Sequence, residues 1–344
     1  MLVCGIDAHA ASFAVCVVDQ LGAEVARVRV PNSPAGNTRL LGWLAELAEV
    51  PERIGIEGGG NWGLRLAWTL TEAGLDVREV PGHYTARERR RLRGGGRSDP
   101  RDALAIARVV AREDTLPPIR RDDLNRQLKL IVDYRRTLLV ERTRTINRLY
   151  RDLAMLEIHA PPGTLRHLRG LGSVAKALRG DPRPQAEIAR RRLLRITAIT
   201  AEVTDLDRQL AVLVRTSKTT LTQLLGISTI NAARILGEVG DITRFPTRDA
   251  FAAANGTAPI PASSGNTTRM RLSRQGNRRL NYAIHQMALT QISHPGPGRE
   301  YYQRRRASGD GTLHALRALK RRLSNVLYRQ LLADAGHLQE APQG

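Results

Sequence analysis

The chain has 344 residues, with 54 lysines and arginines against 33 aspartates and glutamates, a formal net charge of +21. That excess points to a polyanionic partner rather than a small metabolite, and a hydrophobic content of 42% excludes general disorder. No apolar run approaches about eighteen residues, so no membrane span is expected, the first residues lack the pattern of a signal peptide, and two cysteines are too few for a zinc ribbon or a disulfide framework.

The charge is uneven. Residues 1–80 hold six basic and ten acidic residues, net −4, so residues 81–344 carry +25. Aromatic residues make up only 4%, so contacts to a phosphate backbone, steeply salt-dependent, are expected to dominate over stacking on bases. Cys4 and Cys16 fall in strand-like runs and read as small core residues of a reducing compartment. The expected location is therefore cytoplasmic, in association with the nucleoid.

In chain order, residues 2–6, 12–18 and 24–30 are β-rich, and the third run alternates as a strand should. A helix is expected over 34–49, a buried strand over 53–57, a helix over 61–74, a strand over 75–80, and a helix from Asp99. The order βββ-α-β-α-β-α describes an α/β domain with a mixed sheet, spanning 1–115. Asp7 ends the first strand and Glu57 the fourth, and Asp99 and Asp102 stand at i and i+3 of the last helix. If the first and fourth strands are neighbours, Asp7 and Glu57 project side by side, and the helix can bring its pair over them. Four hard oxygen donors suit Mg²⁺, which takes a few carboxylates plus substrate phosphate and water. Each acid also has a structural reading: Asp99 as a helix cap before Pro100, and Asp7 and Glu57 as ordinary strand ends. Before Asp99 lies an arginine- and glycine-rich stretch, 83–99, with Arg87, Arg89, Arg90, Arg91, Arg93 and Arg97 placed to hold a phosphate backbone or simply to be solvated.

Residues 122–156 contain no proline or glycine and read as one long helix, within a helical coiled-coil region over 120–215. Ile196, Ile199, Val203, Leu206, Leu210 and Leu213 recur at +3 and +4 and form a coiled-coil seam. The two helices can pair within one chain or between chains. The remainder, 218–333, is expected to be mainly α, with a helix-hairpin-helix-like element over 221–245 whose Gly226 permits a close turn. After it, Ser263 and Ser264 sit in a Gly/Thr-rich segment followed by Arg269, Arg271, Arg274, Arg278 and Arg279. A serine hydroxyl can displace a DNA phosphodiester and conserve its bond energy, provided arginine or metal charge supports the phosphorus. Serines in such a segment are otherwise turn residues. Residues 334–344 read as a disordered tail.

The pieces GIDAHA around Asp7, GIEGGGNWG around Glu57 and RSDPRDALAIA around Asp99 and Asp102, with GTAPIPASSG and RQGNRRL near the serines, resemble the DEDD transposases of the insertion-sequence-110 family. The resemblance runs from Asp7 to about Leu332. It implies an RNase-H-like (RuvC-like) amino-terminal domain whose four carboxylates bind Mg²⁺, and a carboxyl-terminal serine transposase domain in which Ser264 is the nucleophile and Ser263 the near alternative. It further implies a 5′-phosphoserine DNA intermediate, a structured guide (bridge) RNA that selects donor and target DNA, and a homo-oligomer, dimer or tetramer, assembled partly through the coiled coil. His9 departs from the pattern, standing where the family more often has a small polar residue, and is read as a strand-end residue. Three other functions stay open at this point. They are a RuvC-like nuclease with no covalent intermediate, a DNA invertase on the same scaffold, and a non-catalytic nucleic-acid-binding protein.

Overall fold

The computed structural model describes residues 1–58, 62–91, 99–119, 123–261, 270–272 and 276–340, in two compact units, Met1–Arg121 and Asp122–Gly344.

In the first unit, β1 (Val3–Ala8), β2 (Ser12–Val18) and β3 (Glu24–Pro31) form an antiparallel meander. It continues through α1 (Pro34–Ala45), β4 (Arg53–Glu57), α2 (Leu64–Glu72), β5 (Val77–Val80), α3 (Gly82–Arg89) and α4 (Asp99–Arg112). The sheet order is β3-β2-β1-β4-β5, with β4 parallel to β1 and β5 parallel to β4. Three antiparallel strands followed by parallel crossovers on the far side of β1 are the RNase-H-like arrangement expected from the element order.

Strand period sorts the residues between two layers. Cys4, Ile6, Phe13, Val15, Ile54 and Ile56 face one way into a core with Leu40, Leu44, Leu66 and Leu70 of α1 and α2. Val3, Ala14, Cys16, Val18 and Val80 face the other way, onto Ala103, Ile106, Ala107 and Val110 of α4. Cys4 and Cys16 thus lie on opposite faces as free thiols, and burial pushes the Cys16 thiol up to about 12. Asp7 and Glu57 share the parity of the α4 layer, as do Gly5 and Gly55. The stretch after β5 is not purely a loop: α3 occupies its beginning, with Tyr84 packed in the α4 layer and Glu88 buried beneath Arg112.

In the second unit, α5 (Asp123–Met155) and α7 (Pro184–Thr216), each 33 residues and so roughly 50 Å long, form a hairpin. Cross-links at 134–202, 135–207, 141–195 and 152–192 fix it as antiparallel. Short helix α6 (Leu168–Ala177) closes its tip over Leu149, Leu153 and Ile196. The seam residues Ile196, Ile199, Val203, Leu206 and Leu210 are buried against the chain's own α5. Of the two pairings the sequence left open, the one within the chain is present here, with α5 as the partner.

The base of the hairpin shares one core with α8 (Thr229–Val239), α9 (Arg248–Ala254), α10 (Arg278–Ser293) and α12 (Thr312–Glu340), while α11 (Pro297–Ala307) packs through Tyr301 and Tyr302. Leu128, Val132, Leu210 and Val214 of the hairpin belong to that core, so no gap separates the helical middle from the carboxyl-terminal segment. In place of the expected helix-hairpin-helix, 221–245 holds one helix, α8, between two 3-10 turns, Leu221–Gln223 and Ile242–Arg244. Gly226, at φ +92, meets the α10 backbone, where an added Cβ would stand 2.9 Å from the Met287 carbonyl oxygen. Its constraint is helix packing. The carboxyl-terminal helix runs to Glu340, through most of the stretch read as a tail. Asp334 explains why: its buried carboxylate accepts from the Thr219 hydroxyl at 2.7 Å, the Thr220 amide at 3.1 Å and the Thr220 hydroxyl at 2.5 Å. β6 (Pro259–Pro261) pairs antiparallel with β7 (Met270–Leu272).

Candidate metal centre

Asp7 and Glu57 are register partners on the parallel pair β1 and β4, at the carboxyl ends of both strands. Neighbouring strands lie about 4.8 Å apart, so the two carboxylates emerge side by side on the face that α4 covers. Asp99 opens α4 and Asp102 follows one turn later. The helix can approach because β1 and β4 carry Gly5 and Gly55 beneath it. A Cβ on Gly5 would fall 2.2 Å from the Ala107 amide nitrogen and 2.4 Å from the Ala103 carbonyl oxygen.

One histidine and two arginines converge on the acids. His9 Nε2 lies 2.9 Å from Asp7 Oδ2 and 3.4 Å from Asp99 Oδ1. Arg29, from β3, donates to Asp99 at 3.0 Å. Arg89, from the end of α3, donates to Asp102 at 3.0 Å. Burial pushes the Asp7 carboxyl above its ordinary value; His9 pulls it back, and the charges of Asp102 and Asp99 push it further up. Glu57 is likewise raised by burial, lowered by Arg89 and raised by Asp7 and Asp102. Like charges that raise one another are held together only with compensating positive charge.

The donor set fits a divalent cation. Ligand atoms of Asp7, His9 and Asp99 lie within 4.8 Å of one another. Glu57 has its own cradle: Gly82 at the start of α3 leaves room that a Cβ would fill, 2.8 Å from Glu57 Oε1. Carboxylate oxygens with one imidazole suit a hard or borderline ion.

The structure therefore brings Asp7 and Glu57 together and sets Asp99 and Asp102 on the helix beside them. His9, read as a plain strand-end residue, stands inside the cluster. Arg29 was not singled out from the sequence, since only the β2–β3 register carries it there. Of the arginines expected to grip phosphate, Arg87 pairs with Glu113 at 2.8 Å, Arg89 with Asp102, and Arg91 with Glu88 at 3.6 Å; Arg90 is exposed. Arg93 and Arg97 lie outside the described residues.

In the second unit, Ser263, Ser264, Arg269 and Arg274 also lie outside the described residues, and of Arg271 only its place in β7 is described. The ends of this segment are firmly anchored. Asn255, fully buried, donates to the Ser324 hydroxyl at 2.8 Å. Asn277 caps α10 and donates to Glu238 at 2.5 Å. Arg279 donates to Asp133 at 2.5 Å and to Glu238 at 3.2 Å, so it ties α10 to α5 and α8. Arg278 is exposed.

Residues 4–159 match the DEDD transposase domain of the IS110 family, and residues 218–303 match the transposase domain of the IS116/IS110/IS902 family. The 44.8 kDa protein of insertion element IS116 from Streptomyces clavuligerus is 28% identical over 378 residues, covering 95% of this chain and 94% of that protein. The 42 kDa protein of IS900 from Mycobacterium paratuberculosis is 27% identical, with the same coverage of 95% and 94%. Among solved structures, T. thermophilus RuvC in complex with a Holliday junction substrate aligns with 35% of this chain and 99% of its own, at 22% identity and a TM-score of 0.28.

Proposed function

From the premise that the chain belongs to the IS110 family of transposases, enzymes that cleave and rejoin DNA, we propose that it is a site-specific recombinase of an insertion sequence, with Asp7, Glu57, Asp99 and Asp102 as its metal site and Ser264 as its nucleophile. The observation that carries the reading is the in-register pair Asp7 and Glu57 under the helix that bears Asp99 and Asp102. Mg²⁺ is the ion that oxygen donors of this kind favour. When bound it supplies Lewis-acid stabilisation of charge on a phosphodiester.

The chain's own residues do the rest. The carboxylates gather negative charge, and Arg29 and Arg89 balance it until substrate arrives, while His9 contacts Asp7 and Asp99. Arg29 and Arg89 are then placed to pass to the phosphate backbone. Ser264 Oγ attacks a phosphorus of the strand. The Oγ–P bond forms, the P–O3′ bond breaks, and the serine proton ends on the departing 3′ oxygen. The resulting 5′-phosphoserine keeps the ester energy, so a 3′-hydroxyl from the exchanging strand can attack it and release the serine. Ser263 is the alternative nucleophile. The arginines that follow, Arg269, Arg271, Arg274 and Arg278, supply charge to the strand. A structured guide RNA selects donor and target, and subunits of a dimer or tetramer combine the two kinds of site. The excess of +25 beyond residue 80 suits two nucleic-acid partners at once.

The test is a protein–DNA adduct that survives denaturation, formed on labelled donor and target DNA with Mg²⁺ and RNA from the element's non-coding flank. An adduct whose peptide maps to Ser264, absent in Ser264→Ala and in Asp99→Asn, is the expected result. Cleaved ends without an adduct would mean hydrolysis by a RuvC-like nuclease and would overturn the serine step.

A further inference from the structure

A further feature of the Asp122–Gly344 unit lies beside the carboxyl-side described end of the serine segment, where Arg278 and Arg279 stand. A cavity of about 580 Å³ opens between α5, α8 and α10. Its floor is apolar, from Val132 and Ile230, and its walls are basic and aromatic. Arg234, on α8, is half-buried there. Its one described hydrogen bond runs to the Asn231 side-chain oxygen at 2.7 Å, and its guanidinium carbon lies 5.2 Å from the ring centroid of Tyr282 on α10. Arg136 lines the same cavity from α5.

The charges in this cavity are not balanced. Among the described residues, no carboxylate pairs with Arg234 or with Arg136, whereas Arg135 is held by Asp207 and Arg279 by Asp133 and Glu238. Asp133, the one acid lining the cavity, is therefore already occupied. Burial disfavours the Arg234 cation, and the charges of Arg135 and Arg136 disfavour it further, against smaller favourable contributions from Tyr282 and Glu238. His285, on the same wall, is held toward its neutral form by burial and by Lys320. The guanidinium donors of Arg234 that Asn231 does not take are left for an anion entering the cleft. Tyr282, in contrast, is 51% exposed, a large ring left open beside that charge.

The two features call for one ligand with both an anionic and a flat apolar part. We propose that this cleft holds a single unstacked nucleotide of a nucleic-acid strand, with its phosphate on Arg234 and Arg136 and its base against the ring of Tyr282. The volume is in the range of pockets that enclose a small molecule of that size. A duplex keeps its bases stacked inside and cannot offer one to the ring without flipping it, so the site selects single-stranded segments. This rests on the nucleic-acid-binding part of the proposed function but needs neither its metal nor its serine.

The experiment accordingly uses the full chain as Ser264→Ala with divalent metal chelated. Oligothymidylate, oligouridylate and a blunt duplex of equal length are titrated over a range of salt, and strands bearing 5-iodopyrimidines are photocrosslinked and mapped. The expected result is a crosslink on Tyr282 from one or both single strands, with the stronger arm identifying DNA or RNA as the occupant. The duplex competes poorly. Arg136→Gln, at an exposed position, weakens single-strand binding by about tenfold and lowers the salt slope by about 0.7, the contribution of one phosphate contact on a single strand. Arg234→Gln does the same while circular dichroism stays native. The proposal is overturned if neither strand labels Tyr282, if both arginine variants keep wild-type affinity and slope, or if the duplex competes as well as the strands. Loss of DNA strand transfer does not enter the assay, so failure of the cleft and failure of the serine chemistry are told apart.

Discussion

Gly5→Ala is expected to damage both the stability of the amino-terminal unit and the chemistry at its metal centre. The new methyl would stand 2.2 Å from the Ala107 nitrogen, 2.4 Å from the Ala103 oxygen and 2.7 Å from the Ala107 Cα, all α4 backbone. Backbone has no rotamer to change, so the helix must retreat by roughly 1 Å before ordinary contact is restored. Overpacking of this kind costs about 1–3 kcal/mol or more, and here the upper end is expected, near 3 kcal/mol and a fall in Tm of about 10 °C. Because Asp99 and Asp102 ride on α4, the same retreat carries them away from Asp7 and Glu57, and misplacement by about 1 Å can cost on the order of a hundredfold in rate. Gly55→Ala is the control. Its methyl would meet the buried Val110 and Val80 side chains at 2.2 and 2.7 Å. Valine is stiff, so stability should fall here too, but the contact lies about two turns of α4 beyond Asp102, so the loss of cleavage should be smaller. Urea unfolding and single-turnover DNA cleavage of the two variants read this directly. If Gly5→Ala lost less than about 1 kcal/mol, or cleaved at the wild-type rate, the close approach of α4 could not be what assembles the centre.

Truncation after residue 333, harmless for a disordered tail, should instead destabilise the chain. Asp334→Ala alone should cost about 1–3 kcal/mol in denaturant titration, because the Thr219 and Thr220 donors lose their acceptor. Asp7→Asn should raise the Tm of the metal-free protein by a few degrees at neutral pH. The folded carboxyl is raised mainly by burial, so its contribution to stability is present below the ordinary value and lost as pH rises through the raised one. The gain of the variant should therefore fade in acid. Lys320, half-buried and donating to Asn281 at 2.6 Å, has its amine lowered to about 8 by burial and by Arg278 and Arg317. The unfolded chain holds that proton longer, so stability should gain a rising contribution between pH about 8 and 10.5, and Lys320→Met should flatten that limb of the pH–stability curve.

The carboxylate centre was legible in the sequence to the extent that strand parity and helix spacing control it. Asp7 and Glu57 end strands whose period puts them on one face, and Asp99 and Asp102 are one helical turn apart; local pattern suffices for both. What surrounds them is set by long-range packing. Arg29 reaches Asp99 through the β2–β3 register, and Arg89 reaches Asp102 because α3 folds within the arginine- and glycine-rich stretch. A signal for α3 does exist: Tyr84 and Glu88 recur at i, i+4 after Pro81. The seam on α7 shows a similar limit. Its +3/+4 spacing revealed a coiled-coil partner but not whose, and cross-links such as Arg135 to Asp207 and Arg192 to Asp152 place a partner in the same chain. Asp334 was invisible, since the Thr219 and Thr220 groups that donate to its carboxylate lie more than a hundred residues earlier.

The measurement that bears most directly on the metal centre is Mn²⁺ titration of the full chain, followed calorimetrically and by the ion's magnetic resonance, for wild type and for Asp7→Asn, Glu57→Gln and Asp99→Asn. If the four carboxylates form one site, saturable binding is seen in the wild type and weakens by at least tenfold in every variant, while circular dichroism is unchanged. Wild-type Mn²⁺ affinity in Asp7→Asn would contradict it.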